Sequence, residues 1–117
     1  MKNKEYISFI KMIEYVDKLL KYTEGYTFET FCKDDKTVDA TVFNISQIGE
    51  LVKNISQETM EKYTNIEWNM IKGLRNRIVH DYEGINLKSI WYVLEHDIIE
   101  LKDNIMEILE TDNISEE

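Results

Sequence analysis

The residues best suited to chemistry lie in one short segment, Arg75-Asn76-Arg77-Ile78-Val79-His80-Asp81-Tyr82. An arginine side chain binds phosphate well, because its planar guanidinium group donates paired hydrogen bonds and does not lose its charge. A histidine side chain gives and takes protons near neutral pH. Two arginines, a histidine and a tyrosine within eight residues therefore indicate chemistry on a phosphate ester, without a metal ion or another cofactor.

The spacing within this segment limits which side chains can act together. Successive residues of an ideal helix are rotated by about 100°, so Arg75 and His80 lie about 140° apart around the axis. Asn76 and Arg77, four and three residues before His80, are its neighbours on the helix surface. Arg75 and His80 can contact one phosphate only if the helix ends or distorts near His80, or if a second protomer supplies one of them. The spacing favours a cleft between two protomers.

The charge of the chain is unevenly distributed. Its 117 residues carry a net charge of −9, which argues against a protein that holds nucleic acid through overall positive charge. Residues 95–117 contain nine acidic side chains and one lysine. Lys72, Arg75 and Arg77, by contrast, form a local basic cluster. A small basic site on an acidic protein is typical of transient contact with a polyanion.

The composition also bears on the compartment. Cys32 is the only cysteine, which excludes an intrachain disulfide and favours a reducing environment. Charges at Lys11, Glu14 and Asp17 interrupt the first apolar stretch, which therefore resembles neither a signal peptide nor a membrane span. We expect a cytoplasmic protein with no membrane contact, and one domain over residues 1–117.

Apolar residues recur every three or four positions in four stretches, and no stretch alternates as a strand would. The predicted apolar stripes are Tyr6, Ile10, Ile13, Val16 and Leu20 in the first helix; Val38, Val42, Ile45, Ile48, Val52 and Ile55 in the second, from about Thr37 to Ser56; Ile71, Leu74 and Ile78 in the third; and Trp91, Leu94, Ile98, Leu101, Ile105 and Ile108 in the fourth. The pattern predicts an all-α, up-down bundle of four to five helices.

Local signals predict where the later helices begin and end. Thr64 and Glu67 form a capping-box pattern that would open the third helix. Gly84 is a stop signal after His80, and Asn86 is an N-cap for the fourth helix. The acidic residues from about 111 to 117 are expected to be a frayed tail.

The second helix has two unusual features. Gly49 lies in its interior, where glycine costs up to about 1 kcal/mol relative to alanine, so we expect a neighbouring helix to approach closely there. Phe43 and Leu51 lie off the apolar stripe, which predicts burial on a second side. The connector before this helix, about Tyr22 to Asp35, is expected to include a helical turn.

These residues resemble a known family. Arg75-x4-His80-x-Tyr82 is similar to the Arg-x4-His-x-Tyr signature of HepT-like toxins in the HEPN superfamily of α-helical ribonucleases. The similarity extends over nearly the whole chain, through Phe31 and Asp34, Ile48-Gly49-Glu50, Trp68, Gly73-Leu74-Arg75-Asn76, and the segment from Leu87 to Trp91.

The resemblance implies a homodimeric, HEPN-like bundle in which the motif lines the dimer cleft. It implies metal-independent RNA cleavage, with attack of the ribose 2′-hydroxyl on the adjacent phosphate. Arg75 would stabilise the transition state and His80 would act as general base or acid. Asn76 would orient the imidazole or contact the phosphate.

The resemblance also implies a toxin–antitoxin pair. In HepT-like toxins the tyrosine that corresponds to Tyr82 is adenylylated by a partner nucleotidyltransferase antitoxin. AMP on Tyr82 would add bulk and negative charge where an RNA phosphate must bind. Tyr82 itself would also contact the substrate phosphate.

Three alternatives stay open at this point. The bundle could be a non-catalytic module that partners a nucleotidyltransferase and binds nucleotide or RNA. It could also be a helical dimerisation domain in which Arg75 and His80 only cap a helix dipole. Arg77, finally, is either a surface salt bridge or a second phosphate contact.

Overall fold

The computed structural model describes residues 1–84 and 86–112, and throughout these residues the regular structure is helical, with no strand. The α-helices are α1 (Asn3–Tyr22), α2 (Phe28–Cys32), α3 (Asp35–Leu51), α4 (Gln57–Lys62), α5 (Trp68–Lys72), α6 (Leu74–Glu83), α7 (Leu87–Tyr92) and α8 (Ile98–Thr111). A 3₁₀ turn, Val52–Asn54, follows α3, and a π-helical turn, Val93–Asp97, joins α7 to α8. The all-α prediction is confirmed, although the described chain is divided more finely than into four or five helices.

The core forms where α3 packs against α1 on one side and α6 on another, while α8 covers α1. Its largest fully buried side chains are Phe9, Phe31, Met12, Leu19, Ile45, Ile48, Ile71, Leu74, Ile78, Ile90, Ile98 and Ile105. Six of these twelve side chains belong to the predicted stripes of α3, α6 and α8. Their burial stabilises the fold by roughly 25 cal/mol for each Å² of apolar area removed from water.

The predicted stripe of α1 was wrong in position. The buried face of α1 contains Phe9, Met12, Val16 and Leu19, so only Val16 was assigned correctly. Because α1 packs against both α3 and α8, it needs a broad apolar surface, and the predicted Ile13 and other residues lie at the edges of that surface.

The segment after α3 also differs from the prediction. The α-helix ends at Leu51 rather than Ser56, because Ser56 caps a separate helix, α4, by accepting a hydrogen bond from the Thr59 backbone N–H. The buried carboxylate of Glu5 accepts hydrogen bonds from the backbone N–H and the hydroxyl of Ser56, at 2.8 and 3.0 Å. Burial alone would raise the pKa of Glu5, but these hydrogen bonds outweigh it and the net shift is downward.

The capping box predicted at Thr64 does not form. The helix begins at Trp68 with Glu67 as its N-cap, and no side chain caps it. The buried Trp68 indole N–H donates to the carbonyls of Met60 and Tyr63, at 3.1 and 3.0 Å, which holds the preceding residues in a turn. The tertiary position of Trp68 therefore overrides the local capping pattern.

The remaining boundaries agree better with the sequence. Gly84 ends α6, three residues later than expected, and the Asn86 side chain accepts a hydrogen bond from Ser89 N–H at the start of α7. The helical turn expected in the first connector is α2. Phe43, however, is 59% exposed, so the prediction of a second buried side at this residue was wrong.

Most of the predicted acidic tail, residues 113–117, lies outside the described residues. Thr111 still belongs to α8, and the Asp112 carboxylate accepts a hydrogen bond from the Tyr63 hydroxyl and pairs with Lys62 at 3.3 Å. The hydrogen bond from Tyr63 is the main cause that lowers the pKa of Asp112 to about 2.

Among the helices that the structure describes, none is both long enough and apolar enough to cross a bilayer.

The close approach predicted at Gly49 is present. A Cβ atom built on Gly49 would lie 3.1 Å from the backbone nitrogen of Arg75 and 3.3 Å from the carbonyl oxygen of Ile71. Both are backbone atoms, which cannot turn aside as a flexible side chain can. Gly49 therefore allows α3 to lie directly against the junction of α5 and α6.

We expect Gly49→Ala to lower the free energy of unfolding by about 1–3 kcal/mol, because the added methyl group must push α3 away from α6. Urea denaturation measures this change. Gly73→Ala is the matched control, since its Cβ would meet its nearest neighbour at an ordinary 3.5 Å and its φ of −83° suits any residue. An equal loss of stability in both variants would contradict the account of Gly49.

Candidate active site

Arg75 lies in the first turn of α6. The contact between its backbone and Gly49 places Arg75 beside α3. Its Nε lies 3.3 Å from Oε1 of Glu50, the residue that follows Gly49. The pKa of Glu50 is lowered, chiefly by a hydrogen bond from Lys53 and further by the charges of Lys53 and Arg75. The Arg75 side chain remains 54% exposed, so its guanidinium group is open to a ligand.

Tyr82 lies two helical turns beyond Arg75 on the same side of α6. Its hydroxyl donates a hydrogen bond to Oδ1 of Asp39 on α3. The pKa of Tyr82 is raised, first by this bond and then by the negative charges of Asp39 and Asp35, so the phenol holds its proton at neutral pH.

A groove of about 390 Å³ separates α3 from α6 along this side, and we call it the α3–α6 groove. Arg75 and Tyr82 line it together with Asp39, and the apolar side chains of Val42, Phe43 and Val79 and the polar side chains of Ser46 and Gln47 complete it. The groove therefore combines a guanidinium group, a phenol, a carboxylate and an exposed aromatic ring.

Arg77 points to the other side of α6. One of its terminal nitrogens donates to the Ser89 hydroxyl at 3.1 Å, and the other lies 3.7 Å from Asp97. Its Nε lies 3.8 Å from Asp81, whose buried Oδ2 has no hydrogen-bond partner among the described residues. Burial raises the pKa of Asp97, and the charge of Arg77 partly opposes that shift. Arg77 thus joins α6 to α7 and the π-helical turn.

His80 and Asn76 form the outward ridge of α6. The His80 side chain is 88% exposed, and its Nδ1 lies 3.9 Å from Asp81, beyond hydrogen-bond distance. Asn76 is one turn earlier on the same ridge and is also exposed. The imidazole is therefore free to meet a molecule that approaches from solvent.

The structure brings together only some of the predicted residues. Arg75 and Tyr82 share the α3–α6 groove, Asn76 and His80 share the outward ridge, and Arg77 faces α7. Because α6 continues as a regular helix through His80 to Glu83, the distortion that would bring Arg75 and His80 to one face is absent from α6.

Sequence reasoning did not find the role of two acidic residues of α3, Glu50 and Asp39. Glu50 carried a signal as part of Ile48-Gly49-Glu50, but its ion pair with Arg75 depends on how α3 packs against α6. No sequence signal pointed to Asp39, because this residue is separated from Tyr82 by 43 residues and lies on an exposed part of α3.

Chemically, the site can bind an anionic ligand at Arg75 and transfer a proton at His80. The ion pair between Arg75 and Glu50 is exposed and therefore weak, so a phosphate can replace the carboxylate. A bidentate guanidinium–phosphate contact is stronger than this pair. The local arrangement therefore suits a phosphodiester.

We expect Arg77→Gln to lower the free energy of unfolding by about 1–2 kcal/mol, because it leaves the half-buried carboxylates of Asp81 and Asp97 without their cation. Arg75→Gln, the matched control on the same helix, should change it by less than about 0.5 kcal/mol. Urea denaturation of both variants compares the two roles. A larger loss of unfolding free energy in Arg75→Gln than in Arg77→Gln would contradict the structural role given to Arg77.

Comparison with known proteins gives matches over most of the chain. Residues 12–108 match the family described as "Ribonuclease HepT-like". A "Putative RNase" of Caldanaerobacter subterraneus subsp. tengcongensis is 37% identical over 92 residues, which cover 79% of this chain and 82% of that protein. A "Putative RNase" of Methanocaldococcus jannaschii is 33% identical over 101 residues, which cover 83% of this chain and 84% of that protein.

A further relative, the "Probable ribonuclease HepT" of Thermococcus cleftensis, is 29% identical over 100 residues, covering 86% of this chain and 89% of that protein. No solved structure matches the chain significantly. The family match covers most of the chain, including α6 with Arg75, His80 and Tyr82. The chain therefore belongs to the ribonuclease HepT-like family.

Proposed function

We propose that the protein is a metal-independent endoribonuclease and the toxin of a toxin–antitoxin pair. The observation that carries this proposal is the exposure of both Arg75 and His80 on α6, in a chain of the ribonuclease HepT-like family. An accessible guanidinium group can stabilise charge on a phosphate and an accessible imidazole can transfer a proton, and cleavage of RNA through its 2′-hydroxyl uses both kinds of assistance.

In the proposed reaction, His80 removes the proton of the ribose 2′-hydroxyl. The 2′-oxygen attacks the adjacent phosphorus to form a 2′,3′-cyclic phosphate, the bond to the 5′-oxygen of the next nucleotide breaks, and that oxygen takes a proton from the protonated imidazole or from water. Arg75 stabilises the added negative charge on the phosphorane-like transition state, which is worth several kcal/mol in a preorganised site. General base catalysis by His80 contributes about 10²–10⁴-fold. Asn76, one turn before His80, orients the imidazole or contacts the phosphate.

The active form in this proposal is a homodimer. Arg75 faces α3 and His80 faces solvent, so one protomer does not direct both side chains to the same phosphate. A second copy that docks at the edge of the α3–α6 groove would bring its own His80 to the Arg75 of the first and leave Tyr82 open to solvent. The exposed ring of Phe43 supports contact of another chain with this edge.

The proposed partner of the toxin is a minimal nucleotidyltransferase antitoxin that adenylylates Tyr82. Tyr82 is exposed and lines the same groove as Arg75, so an attached AMP would occupy the space beside the guanidinium group. Its phosphate would compete with the RNA phosphate for Arg75. Modification would thus block the nuclease site directly.

The test is cleavage of a labelled RNA in EDTA by the purified wild type, Arg75→Ala and His80→Ala, with the intact mass of each protein recorded. We expect cleavage by the wild type and a loss of at least about 10²-fold in each variant. DNA of the same sequence should remain intact, because it lacks the 2′-hydroxyl. Unchanged circular dichroism spectra would show that the variants are folded.

Equal cleavage by all three proteins would contradict the proposed roles of Arg75 and His80. Binding of AMP without any turnover of RNA by unmodified wild type would instead favour the second candidate function, a non-catalytic partner of a nucleotidyltransferase. The carboxylates that face Arg75 and Tyr82 are the observation that favours this second candidate, because they oppose the binding of RNA.

A further inference from the structure

We propose that Asp39 is the general base that activates Tyr82 for nucleotidyl transfer. This inference rests on the proposed function, in which Tyr82 accepts a nucleotide. It adds a residue of this chain to the chemistry of that modification, so that the toxin supplies part of the site at which it is neutralised.

The geometry provides the contact that a base requires. Asp39 lies on α3 and Tyr82 on α6, and the Tyr82 hydroxyl donates its hydrogen directly to Oδ1 of Asp39. Both residues are exposed and line the α3–α6 groove, so an approaching nucleotide can reach the phenol oxygen while the bond persists. The carboxylate therefore already accepts a hydrogen bond from the group whose proton must leave.

Tyr82 also needs such an acceptor. Its pKa is raised by the bond to Asp39 and by the charges of Asp39 and Asp35, so almost none of it is phenolate at neutral pH. A neutral phenol is a weak nucleophile, and it becomes effective when an adjacent base removes its proton as the new bond forms.

The step balances without any further reagent than a nucleoside triphosphate held by a nucleotidyltransferase. The Tyr82 oxygen attacks the α-phosphorus, the bond from that phosphorus to the bridging oxygen of the β-phosphate breaks, and pyrophosphate leaves with the electron pair. Positive charge develops on the phenol oxygen as its bond to phosphorus forms, and the proton passes to Asp39, which returns it to solvent. A carboxylate that accepts the proton of the attacking hydroxyl group acts in the same way in protein kinases.

The neighbouring carboxylates are not placed for this role. Asp35 lies one turn before Asp39 and acts on Tyr82 only through its charge. Glu50 pairs with Arg75 and Lys53, at 3.3 and 2.6 Å. Among the described residues, Asp39 is the carboxylate that the structure shows hydrogen-bonded to the Tyr82 hydroxyl.

The test measures transfer of label from [α-³²P]ATP to the full chain by its partner nucleotidyltransferase, for the wild type and three variants of Asp39. Asp39→Asn keeps an oxygen that can accept the hydrogen bond but cannot take the proton, and we expect its rate to fall about 10²-fold or more. Asp39→Ala should fall equally, and Asp39→Glu should regain part of the rate. Asp35→Asn, the matched control, should stay within about twofold of wild type.

Tyr82→Phe identifies the labelled residue, and circular dichroism confirms that each variant is folded. Labelling of Asp39→Asn at the wild-type rate would overturn the role of Asp39 as a base but would leave Tyr82 as the acceptor. If Asp39→Ala is labelled slowly but Asp39→Asn is labelled at the wild-type rate, Asp39 only positions Tyr82 through its hydrogen bond. That result also overturns the proposal. If the wild type cleaves RNA but accepts no label, both the modification of Tyr82 and the role of Asp39 as its base are contradicted. The proposed nuclease function would then be unaffected.

Discussion

The site depends on the contact between Gly49 of α3 and the backbone at the start of α6. A side chain larger than hydrogen at this residue would separate the two helices, because the atoms that face it are backbone atoms at Arg75 and Ile71. Close packing brings Glu50 within 3.3 Å of Arg75 and brings Asp39 into hydrogen-bond contact with Tyr82. Gly49 thus allows the close approach of α3 and α6 on which these contacts depend, and the α3–α6 groove lies beside it.

The electrostatics of the site follow from this packing. The chain is acidic overall, and α3 adds carboxylates directly opposite Arg75 and Tyr82. A phosphate that binds Arg75 must replace Glu50, and exposed ion pairs are weak enough for that exchange. The structure therefore suits transient rather than tight binding of a polyanion.

The two arginines of the motif have different environments. Arg75 borders an open groove, whereas Arg77 is held between α6, α7 and the π-helical turn.

The sequence predicted the helical architecture well where a helix has a single strong apolar stripe. The stripe from Leu94 to Ile108 is buried as expected, whereas α1 has two interleaved apolar sets and the wrong one was chosen. The capping signal at Thr64 failed because the buried indole of Trp68 determines the local turn. Within the site, the motif identified Arg75, His80 and Tyr82 as candidates and helical spacing separated Arg75 from His80. Asp39 could not be found, because its contact with Tyr82 arises only when distant helices pack.

In the proposed dimer, Arg75 and His80 act on one phosphate from different protomers. The most direct measurement uses mixed dimers in which one protomer carries Arg75→Ala and the other His80→Ala, each with its own affinity tag, purified through both tags in turn. A site shared between protomers leaves one intact pair in such a dimer, so the account predicts RNA cleavage at about half the wild-type rate, while each variant alone stays inactive. A mixed dimer as inactive as its parents would show that each protomer needs both of its own residues, and would contradict the account.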